Sequence, residues 1–493
     1  MRLSTTEMAA HLGLTGAAAP AGEALASRVV TDSREARPGA LFVCVPGERV
    51  DGHDFAARAV EQGATAVLAS RPLPDPGVPV LLVEDTVRAL GQLAALWRGK
   101  TRAKVVCVTG TAGKTTLKEA LAQVLALRGK TARTAMNHNN QIGMPCAVLN
   151  TDGDEDFWVM EAGISHAGDM DELAPVLRPD LGLILNVGPG HTEGLGDRGV
   201  AWHKARLLAY LAEGGRGLVS ADYPELVREA MASGAKLHFF SAADQRTAYR
   251  AAWLGSAPAD GNAADGAPER GLYRLWLDGE TCDVITPFQG AYGAENSIAT
   301  AAAAHLLGLS AAEIAEGLAR TRLPVQRFNR SRLGAWELID DTYNANPLSM
   351  RRMLDAAAGQ ARGRTFVPVL GEMGELGAVA EAMHEELGRH LADLKPTAVF
   401  WKGGHADEVR AGLAHGGYGG PWLIVDGPES FMAAWKEFAR HGGLEEKRGG
   451  LLLFKGSRFN RLETLLTAFR EGNADMTETE TRECGEGESG HVL

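Results

Sequence analysis

An apolar run that enters a glycine turn and continues into a helical pattern constrains this chain most. In VVCVTGTAGKTTLKEAL (105–121), the strand-like residues end at Gly110, and Gly113 stands directly before Lys114. The glycines let backbone N–H groups approach phosphate oxygens, and the following helix contributes its positive N-terminal end. Because strand, loop and helix follow in the order that such a site requires, the sequence predicts a nucleotide-binding loop on a parallel α/β sheet.

This loop is shorter than the common phosphate-binding loop. The common spacing is G-x-x-x-x-G-K-[ST], whereas this chain reads G-x-x-G-K-T from Gly110 to Thr115. Lys114 can reach the terminal phosphates of a nucleotide, and the Thr115 hydroxyl can ligate Mg²⁺. The alternative is a glycine turn that precedes Lys-Thr by chance and binds nothing.

The overall composition limits the classes of protein to consider. The chain has 493 residues and a formal net charge of -12, and its length predicts about two to four domains. A general nucleic-acid binder would carry a strong basic face, so the charge argues against one. The scattered cysteines argue against a zinc site or a disulfide framework and favour a reducing cytoplasm. The sequence shows neither a signal peptide nor a membrane span, so we expect no membrane insertion.

Strand-like and helical stretches alternate along most of the chain, which predicts an α/β fold with parallel sheets. We divide it into an N-terminal α/β domain (1–85), a central P-loop parallel-sheet domain (86–325) and a C-terminal Rossmann-like α/β domain (326–472). Residues 255–269, rich in Ala, Gly, Asp and Pro, predict a surface loop. The acidic residues 473–493 have little apolar content and predict a disordered tail.

Polar residues follow several of the apolar strands. Glu161 ends FWVMEAG, and His191 follows LILNVGPG. The carboxyl ends of parallel strands share one edge of a sheet, so both side chains are expected near the phosphate loop, where they suit Mg²⁺ or phosphate. A solvated acid and a hydrogen-bonded loop histidine are the plain alternatives. Asp340 and Asp341 suit either a turn or contacts with ribose hydroxyls or a substrate amine.

Together these motifs resemble the Mur ligase family, the bacterial ATP-dependent amide ligases of peptidoglycan precursor synthesis. G-x-x-G-K-T-T is typical of that family's phosphate loop, and the resemblance extends from about residue 28 to residue 465. It is closest to the type that adds D-alanyl-D-alanine to UDP-N-acetylmuramoyl-tripeptide. D-N-P-R, typical of the diamino-acid-adding type, is absent. The stretches that carry the assignment are DSREARPGALFVCVPGERVDGHDF, NHNNQIGMP, DDTYNANPLSM, LGEMGELG and KGSR.

The resemblance implies ATP and two Mg²⁺ ions, with the first domain binding the uridine diphosphate substrate. Thr115, Glu161 and His191 would be metal ligands. Lys204 matches the family's carbamylated lysine, whereas the residues alone predict an ordinary surface lysine. The implied catalytic residues are Lys114, Glu161, His191 and Lys204. The implied phosphate loop consists of Gly110, Thr111, Ala112, Gly113, Lys114, Thr115 and Thr116.

The remaining implied contacts come from all three domains. Asn296 would contact adenine, and Arg327 and Asp341 would contact the nucleotide from the C-terminal domain. Three further pairs are implied at the substrates: Ser33 and Arg34 at the uridine diphosphate, Asn139 and Asn140 near the reacting ends, and Asn344 and Asn346 at the dipeptide.

Three residues depart from the family pattern. Ala112 stands where Asn or Ser is usual, and in GAYGAEN Tyr292 and Gly293 replace His and Asn, while Asn296 is kept. Loss of the side chain at Ala112 would loosen the loop but leave its backbone cradle, and the other two changes would alter the adenine contacts.

The resemblance predicts a monomeric enzyme that acts on UDP-N-acetylmuramoyl-tripeptide and D-alanyl-D-alanine through an acyl phosphate. Three alternatives stay open: a related ligase for another amine, a nucleotide-binding homologue that no longer ligates, and a simple P-loop ATPase. The departures at Ala112, Tyr292 and Gly293 are the only support for the second of these.

Overall fold

The structure, a computed structural model, describes residues 1–16, 22–47, 50–74, 76–136, 138–188, 192–243, 246–257, 270–361, 363–441, 449–473 and 478–479. It begins with a helix whose first turn is capped by Ser4, because the Ser4 hydroxyl accepts a hydrogen bond from the Glu7 backbone N–H at 3.2 Å. Two short antiparallel strands flank this helix. These elements are β1 (Leu3–Ser4), α1 (Thr5–His11) and β2 (Leu25–Ala26).

A four-stranded parallel sheet follows, and we call it the first sheet. Its elements are β3 (Arg28–Val30), β4 (Ala40–Val43), α2 (Ala56–Glu61), β5 (Ala64–Ala69), β6 (Val80–Leu82) and α3 (Thr86–Lys100). The strand order is β3-β4-β5-β6. A 3-10 turn, Ser33–Glu35, joins β3 to β4 and is capped by Asp32.

The central sheet carries the phosphate loop, which lies between β7 and α4. Its first half comprises β7 (Lys104–Thr109), α4 (Lys114–Leu125), β8 (Thr131–Arg133), α5 (Gly143–Leu149), β9 (Phe157–Glu161), α6 (Asp169–Leu177), β10 (Leu181–Ile184), α7 (Thr192–Leu195) and α8 (Gly199–Ala205). Its second half comprises β11 (Arg216–Ser220), α9 (Pro224–Ala232), β12 (Leu237–Ser241), β13 (Tyr249–Ala257), β14 (Arg270–Leu277), β15 (Glu280–Thr286), α10 (Gly290–Leu306) and α11 (Ala311–Arg320).

In the described residues, the central strands lie in the order β15-β14-β13-β12-β11-β10-β7-β9-β8. The strands from β8 across to β13 are parallel, and β13, β14 and β15 form an antiparallel end. β7 therefore has β9 and β10 as neighbours. This order brings the residues that follow all three strands to one edge of the sheet.

The third sheet is parallel at its centre and ends in antiparallel strands. Its elements are β16 (Asn329–Leu333), β17 (Trp336–Asp341), α12 (Pro347–Ala361), β18 (Thr365–Gly371), α13 (Ala380–Leu394), β19 (Val399–Lys402), α14 (Ala406–His415), β20 (Trp422–Ile424), α15 (Pro428–His441), β21 (Gly450–Lys455), α16 (Glu463–Gly472) and β22 (Glu478–Thr479). The order is β20-β19-β18-β21-β17-β16-β22. We call the parts of the chain built on the three sheets the first, central and third units.

The three-part α/β fold predicted from the sequence is confirmed, and two local predictions differ from the structure. The surface loop predicted at 255–269 begins later, because β13 continues to Ala257; residues 258–269 lie outside the described residues. In the predicted disordered tail, Glu478–Thr479 pairs with β16, whose outer edge offers unpaired backbone groups to another strand. The rest of the tail beyond Asn473 lies outside the described residues. The domain limits 1–85, 86–325 and 326–472 stay predictions.

The first and central units share one hydrophobic core. Leu41 and Leu68 of the first sheet, Leu93 of α3, and Trp158 and Met170 of the central unit belong to the same buried cluster. The third unit has its own two clusters, one on each face of its sheet. The first two units therefore form one packed body, and the third is packed independently.

Asn150 joins the first and central units by hydrogen bonds. Its side chain accepts from the Val29 N–H at 2.8 Å and donates to the Val29 carbonyl at 3.0 Å, which completes the edge of β3. We expect Asn150→Ala to lower the free energy of unfolding by about 1–3 kcal/mol, because a strand N–H loses its partner. Urea unfolding would measure this. Asn473→Ala, which removes only a contact with Phe469 in its own helix, is the control, and equal losses would contradict the role of Asn150.

Two further properties of the described residues concern the cysteines and the helices. Cys44, Cys107, Cys146 and Cys282 are unpaired. Within the described ranges, no helix combines the length and the apolar character that crossing a bilayer requires.

Candidate active site

The phosphate loop connects the buried strand β7 to the first turn of α4. Gly113 has φ +80°, a left-handed conformation that glycine adopts without strain. The backbone N–H groups of residues 113–116 have no acceptor within the described part of the chain. These unpaired donors at a helix N-terminus form the anion-binding cradle that the sequence predicted.

Asn186, which follows β10, holds the phosphate loop through hydrogen bonds to its backbone. Its Oδ1 accepts from the backbone N–H groups of Thr111 at 3.0 Å and Ala112 at 2.9 Å, and its Nδ2 donates to the Ala112 carbonyl at 3.0 Å. Ala112 has no polar side chain to fix its own peptide, and Asn186 clamps that peptide on both sides. The expected loosening at Ala112 is therefore offset by a residue that the sequence did not single out.

Lys114 lies at the start of α4, where its charge can meet a phosphate. Its Nζ donates to the Gly110 carbonyl at 3.0 Å, so the side chain folds back over the loop. Burial lowers the pKa of Lys114; Glu161 opposes this shift and Arg327 adds to it. Lys114 is thus within electrostatic reach of both a strand-end acid and the start of the third unit.

Glu161 is buried at the end of β9, with 1% of its surface exposed, so it is not a solvated acid. Its Oε1 accepts from Asn139 Nδ2 at 2.8 Å, and its Oε2 is buried with no hydrogen-bond partner among the described residues. An unsatisfied carboxylate oxygen of this kind is costly unless something binds it. An oxygen-preferring cation such as Mg²⁺ fits this acceptor.

Lys204 is buried in α8, with 2% of its surface exposed. The surface position predicted from the residues alone is wrong, because α8 packs against α9 and turns this side chain inward. Burial lowers the pKa of Lys204 well below its usual value; Lys114 lowers it further, and Glu161 opposes the shift. Within the described residues, the Lys204 side chain has no hydrogen-bond or ion-pair partner, although its backbone carbonyl accepts from the Arg206 N–H. A buried amine of low pKa is available as a neutral nucleophile.

The third unit reaches the loop through two residues. Asn346 Nδ2 donates to the Thr111 carbonyl at 3.0 Å, which places this residue at the phosphate loop. Arg327 Nη2 lies 3.5 Å from the Thr115 hydroxyl, and its guanidinium stacks 4.1 Å from the centre of the Tyr343 ring. The structure thus describes a closed arrangement in which the third unit touches the cradle.

Asp341 is held by its neighbours at the end of β17. Its Oδ2 accepts from Lys455 Nζ at 2.6 Å, and its Oδ1 accepts from the Phe328 N–H at 3.1 Å. Burial lowers the pKa of Lys455, although Asp341 opposes this shift. A cavity of about 20 Å³ lies beside Asp341 and is lined by residues of both the central and the third unit. Its lining includes Thr116, Gln289, Tyr292, Arg327 and Asp341.

Asn296 is fully buried beneath the phosphate loop, and neither polar atom of its amide has a hydrogen-bond partner in the described residues. A Cβ placed on Gly113 would lie 3.1 Å from the Tyr292 hydroxyl and 3.3 Å from Asn296 Oδ1. Tyr292 and Asn296 therefore stand directly against the loop. The adenine contact of Asn296 stays a prediction.

The other predicted residues lie apart or make local contacts. Ser33 is buried and Arg34 is exposed in the 3-10 turn of the first unit, where Arg34 pairs with Asp32 at 2.6 Å. Asn140 caps α5 by accepting from the Gly143 N–H at 2.8 Å, and Asn344 Oδ1 accepts from the Ala345 N–H. His191 lies outside the described residues. The site therefore brings together Lys114, Thr115, Asn139, Glu161, Lys204, Arg327 and Asn346.

Three buried residues at this site were missed by the sequence reasoning. Asn186 clamps the loop, Lys455 holds Asp341, and Lys118 donates to the carbonyls of Thr134 and, at 3.1 Å, Met136. Lys118 lies one turn after Lys114 on α4 and is fully buried. The sequence offered a signal for each of the two lysines. Lys118 stands at an interior position of a helical pattern, and Lys455 belongs to the motif KGSR.

Models of the Mur ligase family match three parts of the chain. The Mur ligase family catalytic domain matches residues 26–98, the Mur ligase middle domain matches 108–304, and the glutamate ligase domain matches 326–458. UDP-N-acetylmuramoyl-tripeptide–D-alanyl-D-alanine ligase of Escherichia coli (strain K12) is 35% identical over 390 residues, which cover 78% of this chain and 83% of that protein.

Solved structures give the same family. MurF from Acinetobacter baumannii superposes with a TM-score of 0.83 at 28% identity, covering 96% of this chain and 99% of that one. MurF ligase from Thermotoga maritima in complex with ADP superposes with a TM-score of 0.75 at 26% identity, covering 91% and 98%. The phosphate cradle, the buried acid beside it and these matches together show that the chain belongs to the Mur ligase family.

Proposed function

We propose that this protein is an ATP-dependent ligase that joins D-alanyl-D-alanine to UDP-N-acetylmuramoyl-tripeptide, giving UDP-N-acetylmuramoyl-pentapeptide, ADP and phosphate. The observation that carries this proposal is the grouping of Lys114, Glu161 and Lys204 beside the phosphate cradle, where burial lowers the pKa of both lysines and Glu161 opposes the shift. The relatives that match most of the chain carry the name of this ligase. A simple ATPase has no evident use for a second buried lysine at this position.

The chemistry begins with a carboxylate that is a poor electrophile. Transfer of the γ-phosphoryl group of ATP to the tripeptide carboxylate would give an acyl phosphate and ADP, so that phosphate becomes the leaving group. Two anions must approach one another for this step, and Lys114 lies where its ammonium lowers their repulsion. The amine of D-alanyl-D-alanine then attacks the acyl carbon, phosphate leaves, and the amine loses a proton as the amide forms.

We propose that the protein binds two Mg²⁺ ions and that Thr115, Glu161 and His191 are ligands to them. The unpartnered Oε2 of Glu161 supports this, because it is an oxygen ligand without another use. Bound Mg²⁺ would neutralise phosphate charge and polarise the reacting carbonyl. Asn139 fixes the Glu161 carboxylate through its other oxygen and so orients Oε2.

We also propose that Lys204 is carbamylated. Its neutral amine would form an N–C bond with CO₂ and release a proton, which gives an anionic carbamate. The lowered pKa supports this step, because only the neutral amine has the lone pair that attacks. A carbamate beside Lys114 would replace a repulsive pair of lysines by an attractive one.

The third unit would exclude water from the acyl phosphate. Asn346 and Arg327 already contact Thr111 and Thr115, so closure places this unit over the loop. Asn344 and Ser457 lie on the same edge of the third sheet, where the dipeptide would enter. We further propose a monomer that acts in the bacterial cytoplasm, where its nucleotide substrates are made.

The test is ADP release with ATP, Mg²⁺, UDP-N-acetylmuramoyl-tripeptide and D-alanyl-D-alanine, with each component omitted in turn. We expect release to require all four, and mass spectrometry to show the pentapeptide. Release without the dipeptide would indicate an uncoupled ATPase. Release with a diamino acid and the shorter acceptor would indicate the related ligase, and no release under any condition would favour a nucleotide-binding homologue.

A further inference from the structure

Glu295 on α10 is a buried acid that the mechanism above does not use. Its side chain is 3% exposed, and both oxygens are satisfied. Arg352 donates to Oε2 at 2.6 Å and to Oε1 at 3.1 Å, while the Tyr223 hydroxyl donates to Oε1 at 2.9 Å. Asn186 Nδ2 donates to Oε2 at 3.0 Å. A carboxylate that accepts four such hydrogen bonds from three residues is held in one position rather than mobile.

The partners of Glu295 come from two units. Arg352 lies on α12 of the third unit, whereas Glu295 and Asn186 belong to the central unit. The same Asn186 amide clamps the peptide of Ala112 in the phosphate loop. A continuous chain of hydrogen bonds therefore runs from a helix of the third unit, through a buried carboxylate, to the backbone that receives phosphate.

The charges of Arg352 and Glu295 make this chain of hydrogen bonds sensitive to the position of the third unit. Burial disfavours the charged guanidinium, but Glu295 outweighs this effect and raises the pKa of Arg352. If α12 moved away, the buried Glu295 would lose its cation and keep only neutral donors. The Glu295 carboxylate would then attract the Asn186 amide more strongly, and the same amide holds the phosphate loop.

The departures from the family pattern lie at this junction. The Arg352 guanidinium is 5.4 Å from the centre of the Tyr292 ring, and the Tyr292 hydroxyl stands against Gly113. A Cβ on Gly293 would lie 2.1 Å from the Tyr273 hydroxyl, which donates to the Gly290 carbonyl at 2.9 Å. Gly293 is thus required by the packing of Tyr273, and Tyr292 packs between the arginine and the loop.

We propose that Arg352, Glu295 and Asn186 form an interunit latch, a set of positioning residues that orders the phosphate loop when the third unit is seated. The latch deepens the proposed function, since it rests on closure around a bound nucleotide. Its role is to couple the seating of α12 to the affinity of the loop for nucleotide phosphates. None of the three residues needs to touch the reacting atoms.

The test measures ADP binding by calorimetry, which needs neither the peptide acceptor nor the dipeptide. We expect Arg352→Gln and Glu295→Gln each to raise the dissociation constant for ADP by about 10-fold, within the usual range of coupling between sites. The double variant should lose no more than the worse single variant, because either change already opens the latch. In steady-state assays, KM for ATP should rise more than KM for the dipeptide.

Arg351→Gln is the matched control. Arg351 is the neighbouring residue on α12, half-exposed, and pairs with Glu386 inside the third unit at 2.6 Å. ADP affinity in this control should stay within about 2-fold of the parent. If Glu295→Gln does not fold, the test is made with Arg352→Gln alone. The Arg352 side chain is 21% exposed, and its replacement leaves Tyr223 and Asn186 in contact with Glu295.

Two outcomes would overturn the latch. Unchanged ADP affinity in a folded Arg352→Gln variant would show that the ion pair only joins the units, and additive losses in the double variant would show that the two residues act separately. Failure of the proposed ligase reaction would look different. In that case the parent protein would bind ADP with the expected dependence on the latch but form no pentapeptide.

Discussion

Replacing Lys114 by alanine should lower the rate of ADP release by about 10³-fold or more, which is the range seen when a transition-state cation or donor is removed. Lys114 Nζ rests on the Gly110 carbonyl at 3.0 Å, directly over the cradle. Burial lowers the pKa of Lys114, and the negative charge of an arriving triphosphate would oppose this shift and favour the ammonium. Lys118, the next lysine of α4, donates to the carbonyls of Thr134 and Met136 and is therefore held away from the cradle.

A single-turnover assay with saturating ATP measures this effect on the chemical step. Lys130→Ala is the control, since Lys130 is exposed and pairs with Asp152 at 2.6 Å on the surface. Lys114→Arg should recover little activity, because a planar guanidinium does not reproduce a compact ammonium at this site. Turnover near that of the parent in Lys114→Ala would contradict the role of this residue.

Replacing Lys204 by methionine should abolish most ligation and at the same time raise the thermal midpoint of the protein. Activity should fall by about 10²-fold or more if the carbamate orients metal or phosphate. In CO₂-free buffer, where Lys204 is a free amine, the stability should rise because the amine is buried without a side-chain partner in the described residues, and an apolar side chain of similar length removes that cost. Loss of function with gain of stability marks a side chain kept for its chemistry.

The sign of the pH dependence follows from the lowered pKa of Lys204. Between the folded-state pKa and the unfolded value near 10.4, the unfolded chain binds the extra proton, so the stability of the parent rises with pH. The advantage of Lys204→Met should therefore shrink as the pH rises from the folded-state pKa toward the unfolded value of about 10. Calorimetry in CO₂-free buffer would show this trend, and an advantage that grows with pH would contradict it.

Lys118→Met is the matched contrast for this measurement. Lys118 is buried too, but its ammonium donates to the carbonyls of Thr134 and Met136 and pairs with Glu119 at 3.0 Å. Methionine at this position should lower the midpoint, because two carbonyls lose their donor. Carbamylation itself can be read separately, as a carbonyl signal from ¹³C-bicarbonate that the parent shows and Lys204→Met lacks.

The fold and the phosphate loop could be predicted because both depend on local order along the chain. β7, the glycine turn and α4 are contiguous, and the polar ends of successive strands follow from the geometry of parallel sheets. Glu161 was found in this way. Its burial could not be foreseen, since it depends on how β9 lies between β7 and β8.

The residues that complete the site are separated too widely for such reasoning. Asn186 lies 74 positions from Ala112, and Asn346 lies 235 positions from Thr111. An asparagine after a strand or before a proline carries no pattern that distinguishes a clamp from a turn. Lys204 shows the same limit, because burial of a helical lysine depends on the neighbouring helix and not on its own segment.

The hydrophobic core shared by the first two units has a calorimetric consequence. Residues on both sheets lose their packing together when that core opens, so heat should separate the chain into two cooperative blocks rather than three. One block would hold the first and central sheets with the cradle, and the other would hold the third sheet with α12 and its Arg352. The protein would then behave as a two-piece clamp, in which a nucleotide that contacts both pieces raises the melting temperature of both.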